Sequence, residues 1–353
     1  MNSKSEYTGY IGTYTKGDSK GIYTFTLDTE NAKITDIKAV AELDNPTYLN
    51  ISQDNRYLYA VIKNGEEGGV ASFSIDCDSG ELTEMNTQLS PGSSPCHVSM
   101  DSKNRFLFSA NYHKGTVESY LLDSETGFIQ PSASVIQHEG SGPDPRQEKA
   151  HTHFAGVTPD EKYIVVVELG TDLLLTYLVD PDGKLAEVSR LSTPAGSGPR
   201  HITFHPNRKF AYVMTEFSSE VIFLTYHAED GHFIANQFIS TLPEDFTENN
   251  QGSAIHISAD GGFVYAGNRG HNSIAVFSVD EVTGKLSFVE RVSSEGDWPR
   301  DFSIDPTGRY LVGSNQESGN LVLYRRDLET GKLTLIEKDS EVPYPVCVKF
   351  LHY

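Results

Sequence analysis

Pro199-Arg-His-Ile-Thr-Phe-His-Pro-Asn-Arg-Lys-Phe210 and Pro299-Arg-Asp-Phe-Ser-Ile-Asp-Pro-Thr-Gly-Arg-Tyr310 follow one frame. Each begins with a short segment of alternating polarity, the period-two pattern of a half-buried strand. Each then turns through Pro, Asn, Asp or Gly and resumes on an aromatic residue. The frame recurs at Pro46, Pro95, Thr152 and Gly252, and a truncated copy runs from Pro345 to Tyr353. The spacings are 49, 57, 47, 53, 47 and 46 residues. Within each copy a second apolar run follows, such as Tyr265-Ala-Gly267. A third is exemplified by Ile274-Ala-Val-Phe-Ser-Val279, and a polar turn with Gly-Lys-Leu at Gly183, Gly284 and Gly331 leads to a fourth. Four strands per repeat of about 40–50 residues is the signature of a β-propeller blade.

Seven frames predict an all-β, seven-bladed propeller of four-stranded blades. The last copy supplies one strand, Val346 to Leu351. The N-terminus supplies Gly9–Gly12 and Ile22–Leu27 as the second and third strands of a blade that has no first. The two ends are therefore expected to share a blade and close the ring, which removes free sheet edges. This reading makes residues 1–353 one domain, against a length prior of two or three. The single Trp298 and the lack of G-H…W-D pairs exclude a standard WD40 array.

Composition narrows the function. Twenty-eight Lys and Arg face 49 Asp and Glu, a formal charge of −21. Such a polyanion repels nucleic acid and anionic membranes, whose recognition needs clustered cations. It does not disfavour a small anionic ligand held by a few convergent arginines. No apolar run approaches the ~18 residues of a membrane span, and the N-terminal residues carry no apolar signal core. Cys77, Cys96 and Cys347 are odd in number and without C-x-x-C spacing. Disulfides and cysteine-held zinc are not expected, and a reducing cytoplasm is.

In such a ring the first strand of each blade lines the central channel. The loops leading into it share one face with the loops between strands two and three. The first class carries Cys96, His97, His151, His153, Arg200, His201, His256, Arg300 and Asp301. The second carries Tyr14, Lys16, Asn64, Asn111, His113, Glu168, Asp172, Glu216, Asn268, Arg269, Asn315 and Gln316. Arg200, Arg269 and Arg300 on one rim suit an anion pocket, since guanidinium forks match carboxylate and phosphate oxygens. The alternative is a structural Arg–carboxylate network, for instance Arg300 with Asp301. His151 and His153 fall on one side of an extended chain. They suit a base or substrate ligand better than a metal site, because no third ligand stands at a standard spacing. Glu216 suits either an arginine anchor or a base. The remaining histidines, His205, His227, His232, His271 and His352, read as packing or surface residues. Longer repeats place extra residues within 130–150 and 237–251, as rims or lids of the same face. No serine-hydrolase elbow, P-loop or dinucleotide fingerprint occurs.

These residues resemble a family. Gly9-Tyr-Ile-Gly-Thr-Tyr-Thr15, Ala150-His-Thr-His153, Gly196-Ser-Gly-Pro-Arg-His201, Tyr212-Val-Met-Thr-Glu216, Asn268-Arg269 with Ser273–Phe277, and Pro299-Arg-Asp-Phe302 are similar to the bacterial lactonase family of seven-bladed propellers. That family includes propeller-type 6-phosphogluconolactonases and, more distantly, fungal carboxy-muconate cyclase. The resemblance covers essentially the whole chain. It implies cofactor-free hydrolysis of a sugar lactone, 6-phosphogluconolactone foremost, with a lactonising cycloisomerase as the alternative. The site proposed in the cyclase branch implies His151 or His153, Arg200, Arg269 and Glu216 as catalytic residues. His97, Asn111, Glu168, His201, Asn268, Arg300 and Gln316 are the expected substrate-binding set, with Arg269 and Arg300 on the anionic group. A non-catalytic binding platform would show an exposed apolar rim instead. A calcium-dependent lactonase would need an acidic cage.

Overall fold

The structure is a computed structural model describing residues 4–76 and 78–353. The regular elements among them are 28 strands, arranged as seven four-stranded antiparallel sheets. Seven strands line the channel: Leu49–Ile51, His97–Met100, Thr152–Val157, Pro199–Phe204, Gln251–Ile257, Pro299–Ile304 and Pro345–Phe350. Four of these begin where the sequence frame begins. Leu49 starts three residues after Pro46, His97 two after Pro95, and Gln251 one before Gly252.

Blade 1 is the closing blade. Pro345–Phe350 pairs with Glu6–Thr13 through Ile11↔Val348, and Gly21–Asp28 and Lys33–Glu42 complete the sheet. Blades 2 to 7 follow in chain order, headed by the other six inner strands. Hydrophobic packing falls between blades. Tyr212, Met214 and Phe223 of blade 5, for example, meet Val264, Ala266 and Phe277 of blade 6.

The repeated Gly-containing turn explains how six of the seven blades hold the next. Tyr10, Tyr59, Tyr212 and Tyr265 donate their hydroxyls to the carbonyls of Gly80, Gly127, Gly284 and Gly331 in the following blade, at 2.8–3.1 Å. Ser119 and Thr176 do the same to Gly183 and Gly231. All six glycines have φ between 72° and 81°, where L side chains are strained. At Gly284 a Cβ would also sit 2.4 Å from the Phe223 ring. The turn thus needs glycine for its conformation and for close approach.

The closure carries a buried polar tie. Asp301 accepts the Val348 N–H at 3.0 Å and meets His256 Nε2 at 3.1 Å, joining blades 6, 7 and 1. Burial would raise the Asp301 carboxyl, but His256, Lys349 and the Val348 amide hold it below the usual range. This corrects two expectations. Asp301 does not pair with Arg300, and His256 lies well down its strand rather than at the mouth. The extra residues are also fewer than expected. Ile129–Gln137 and His232–Ser240 are outer strands, which leaves loops 138–151 and 241–250. No helix among the described residues is long and apolar enough to cross a membrane. Cys96 and Cys347 are free thiols, and Cys77 lies outside the described residues.

Candidate active site

All seven blades line one cleft of about 400 Å³ at the channel mouth. Tyr14 comes from blade 1, and Asn45, Thr47 and Lys63 from blade 2. Ser93, Cys96, Tyr112 and His113 belong to blade 3 and His153 to blade 4. Glu216 comes from blade 5, Gln251 and Arg269 from blade 6, and Arg300 from blade 7. These positions are the two loop classes that topology brings to one face. Depressions of about 530 and 650 Å³ on the flanks of the blades are larger but gather no comparable chemistry.

The deepest feature is an Arg–Glu–Arg cluster. Glu216 Oε2 lies 2.7 Å from Arg269 Nη2 and 3.2 Å from Arg200 Nε, with all three residues buried. Backbone carbonyls fix both arginines: Ser253 accepts from Arg200 Nη1 at 2.8 Å and Gly252 from Arg269 Nη2 at 2.7 Å. Gly252 must be glycine here, because a Cβ would stand 2.1 Å from the Thr215 carbonyl. Burial alone would raise the Glu216 carboxyl, but Arg269 and Arg200 outweigh it and keep it low and ionised. Burial, Arg269 and Arg300 reduce the proton affinity of Arg200 to about 9, which leaves it cationic at neutral pH.

His153 sits beside this cluster with its Nδ1 buried and unpartnered. Burial first, then Arg200, Arg300 and Arg269, push its proton affinity well below the ordinary imidazole value. It is therefore a neutral imidazole surrounded by cations. His201 Nε2 is also buried without a hydrogen-bond partner among the described residues, whereas Arg200 Nε faces Glu216 Oε2 at 3.2 Å without an aligned hydrogen bond. Buried polar atoms need partners, and of these residues His153 is the one that lines the cleft.

His151 takes a different role from His153. Its ring stacks on Tyr112 at 4.1 Å, bonds the Tyr112 carbonyl at 2.8 Å and meets Glu148 at 3.1 Å. It orients Tyr112 and lies outside the cleft, because a bulge at Thr152/Phe154 breaks the simple alternation. His97 and His201 lie lower in the channel. There Tyr48, His97 and Phe154 pack at 4.3 and 4.2 Å, and His201 stands 5.1 Å from His153. Burial keeps both imidazoles neutral, with Lys349 and Arg200 adding to the effect at His97 and Arg200 and His153 at His201.

Three expected ligands hold loops instead. Asn111 donates to the Ser93 carbonyl and accepts the Lys114 amide. Asn268 accepts from Thr241 and Asn250, and Glu168 accepts from Thr171. Gln316 accepts from Arg300 at 3.4 Å and positions it. Loop 138–151 is a fixed rim: Lys149 bonds the His113 carbonyl and Arg146 lies 3.8 Å over the Phe217 ring.

Sequence reasoning did not single out Tyr112, Lys63, Asn45, Thr47 or Trp298. The first four stand in the predicted loop classes but lack a distinctive motif. Trp298 has φ 65° and its ring lies 5.6 Å from the Arg269 guanidinium. Its place immediately before the Pro299 frame was the available signal. Cys96 lines the cleft, but burial pushes its thiol up to about 11, so it is no nucleophile at neutral pH.

Residues 8–350 match the family described as lactonase, seven-bladed β-propeller. The chain belongs to this lactonase family. It is 55% identical over 348 residues to 6-phosphogluconolactonase of Bacillus subtilis, covering 99% of each chain. A Lactobacillus plantarum protein of known structure superposes with a TM-score of 0.94 at 41% identity, covering 98% of this chain and 99% of that one. The periplasmic gluconolactonase of Pseudomonas aeruginosa superposes at 0.93 and 32% identity, again over 98% and 99%. The lactonase is thus a member of a hydrolase family whose names specify ester cleavage in small lactones.

Proposed function

We propose that the lactonase hydrolyses 6-phosphogluconolactone to 6-phosphogluconate through His153 and the Arg200–Glu216–Arg269 cluster. The carrying observation is a neutral, cleft-lining imidazole set beside two guanidinium groups whose only carboxylate is already engaged. Water attacks the lactone carbonyl while His153 accepts its proton. Arg200 and Arg269 stabilise the oxyanion. The intermediate collapses, the ring oxygen leaves, and the imidazolium returns the proton to it. The cations that make His153 a weak base also favour the oxyanion formed in the same step, so net charge beside them is conserved. Glu216, ionised and clamped, acts as a counter-ion that fixes both arginines, not as the base. The 55% identity to a 6-phosphogluconolactonase supports the phosphorylated substrate. An unphosphorylated aldonolactone is the second reading, favoured by the gluconolactonase relative.

The free thiols of Cys96 and Cys347 fit a reducing compartment and hence a cytoplasmic location. The test is acid release from freshly generated 6-phosphogluconolactone, against its spontaneous rate and with chelator present. Acceleration indifferent to chelator is expected. No acceleration with the phosphorylated lactone, but turnover of gluconolactone, moves the assignment to the second reading.

A further inference from the structure

The cations around the cleft differ in what neutralises them. Arg200 and Arg269 share Glu216, so that trio carries one net positive charge and its donors are largely committed. Among the described residues Arg300 and Lys63 are in no ion pair. Arg300 is half-buried, 5.4 Å from the Tyr14 ring and held by the Gln316 amide. Lys63 is exposed on the rim at the end of Tyr57–Asn64. They stand on blades 7 and 2, across the mouth from the blades of His153 and Glu216, although the Arg300 charge still reaches His153, Arg200 and Glu216.

The ground between them is built and polar. Thr15 N–H donates to Asn45 Oδ1 at 3.0 Å, which locks the blade 1 loop to the blade 2 loop. The Ser93–Ser94 loop lies flat on blade 2 because Gly68 permits it: a Cβ there would stand 2.4 Å from the Ser94 backbone. Asn45, Thr47, Ser93 and Ser94 therefore present hydrogen-bonding groups at fixed places beside the two free cations.

We propose that Arg300 and Lys63 form the subsite for a phosphomonoester, on the arc opposite the hydrolytic residues. This rests on the lactonase reading above and replaces the expectation that Arg269 holds the anionic group. A phosphomonoester carries about −1.5 to −2 charge at neutral pH, which two uncompensated cations match and the half-neutralised cluster does not. Arg300 grips from within the cleft and Lys63 closes over the rim as a point charge.

The readout is the ratio of kcat/KM for 6-phosphogluconolactone to that for gluconolactone. Lys63→Met is expected to lower this ratio about tenfold and Arg300→Gln about a hundredfold, in line with the loss of one exposed and one half-buried charged contact. Arg269→Gln lowers turnover of both lactones and leaves the ratio in place. Lys63→Glu, on an exposed side chain, repeats the test where Arg300→Gln fails to fold. A ratio unmoved by the Lys63 and Arg300 variants, or moved instead by Arg269→Gln, overturns the assignment. Binding of 6-phosphogluconate by calorimetry reads the same subsite without turnover. Loss of that affinity in Lys63→Met and Arg300→Gln sustains the subsite even where wild-type protein hydrolyses neither lactone, a result that would sink only the catalytic reading.

Discussion

Glu216→Gln separates a counter-ion from a base. The substitution keeps the shape and removes the charge, leaving Arg200 and Arg269 buried, 3% exposed each, with no carboxylate between them. Breaking a buried ion pair from one side costs about 3–5 kcal/mol. For 353 residues, an unfolding entropy of about 2.1 cal/mol/K per residue gives roughly 0.74 kcal/mol/K. The expected fall in Tm is then about 4–7 °C. Activity falls in the same variant because the oxyanion donors lose their anchor. In Glu216→Ala, which vacates the space between the two guanidinium groups, added acetate or formate should restore part of both. The assays are thermal unfolding and initial-rate kinetics, each with and without 100-mM-scale formate (roughly the range that favours weak anion sites). Abolished turnover with an unchanged Tm and no anion rescue would refute the counter-ion assignment and return Glu216 to the role of base.

Four further outcomes follow from the geometry. His153→Gln should lower kcat at least 100-fold, the lower range of a lost general base. For wild type, kcat/KM on gluconolactone should not fall on passing downward through the ordinary imidazole value of ~6.5, and an acid limb centred there would exclude His153 as the base. His138 bridges Thr152 and Tyr177 at 2.9 Å each, and burial lowers its proton affinity from 6.5 to about 4. The unfolded chain therefore binds a proton first as pH falls, so this stability is full above about 6.5 and is lost toward 4. At pH 5 the loss is about 2 kcal/mol. Urea titrations at pH 7.5 and 5.0 should show His138→Gln with a pH dependence smaller by that amount; an identical dependence would contradict the reading. Gly284→Ala meets both a positive φ and the Phe223 ring, and should cost at least about 1–2 kcal/mol, checked by the urea midpoint.

The fold was legible because each blade repeats a local cause. Alternating segments and turn formers recur in every repeat, and a Gly-Lys-Leu turn in three of them, so several weak signals agree. Strand boundaries slipped most at Leu49, where the chain runs three residues past Pro46 before pairing begins. The face of the site was equally legible, since topology alone gathers two loop classes at one mouth. Individual roles were not. His151 and His153 are two residues apart and differ only because a bulge turns one ring onto Tyr112 and leaves the other in the cleft. Asn111 and Asn268 occupy the right loops, yet spend their amides on backbone and neighbouring side chains. Sequence position reports which loop a residue occupies, whereas hydrogen-bond geometry decides whether its polar atoms are already committed.

The charge distribution then resolves an apparent conflict, a chain of net charge −21 built to receive an anion. At physiological ionic strength the Debye length is about 8 Å. Most acidic side chains are exposed, where water screens them. Inside the cleft the solvent is largely displaced, and the local sum is what a substrate meets. That sum is one net positive charge from the Arg200–Glu216–Arg269 cluster plus two from Arg300 and Lys63. Among the described residues Glu216 is the one carboxylate lining the cleft, and its placement confines the deeper cations to the reacting carbonyl while the two outer cations stay free. A single buried glutamate thereby divides one basic cleft into an end that polarises and an end that binds.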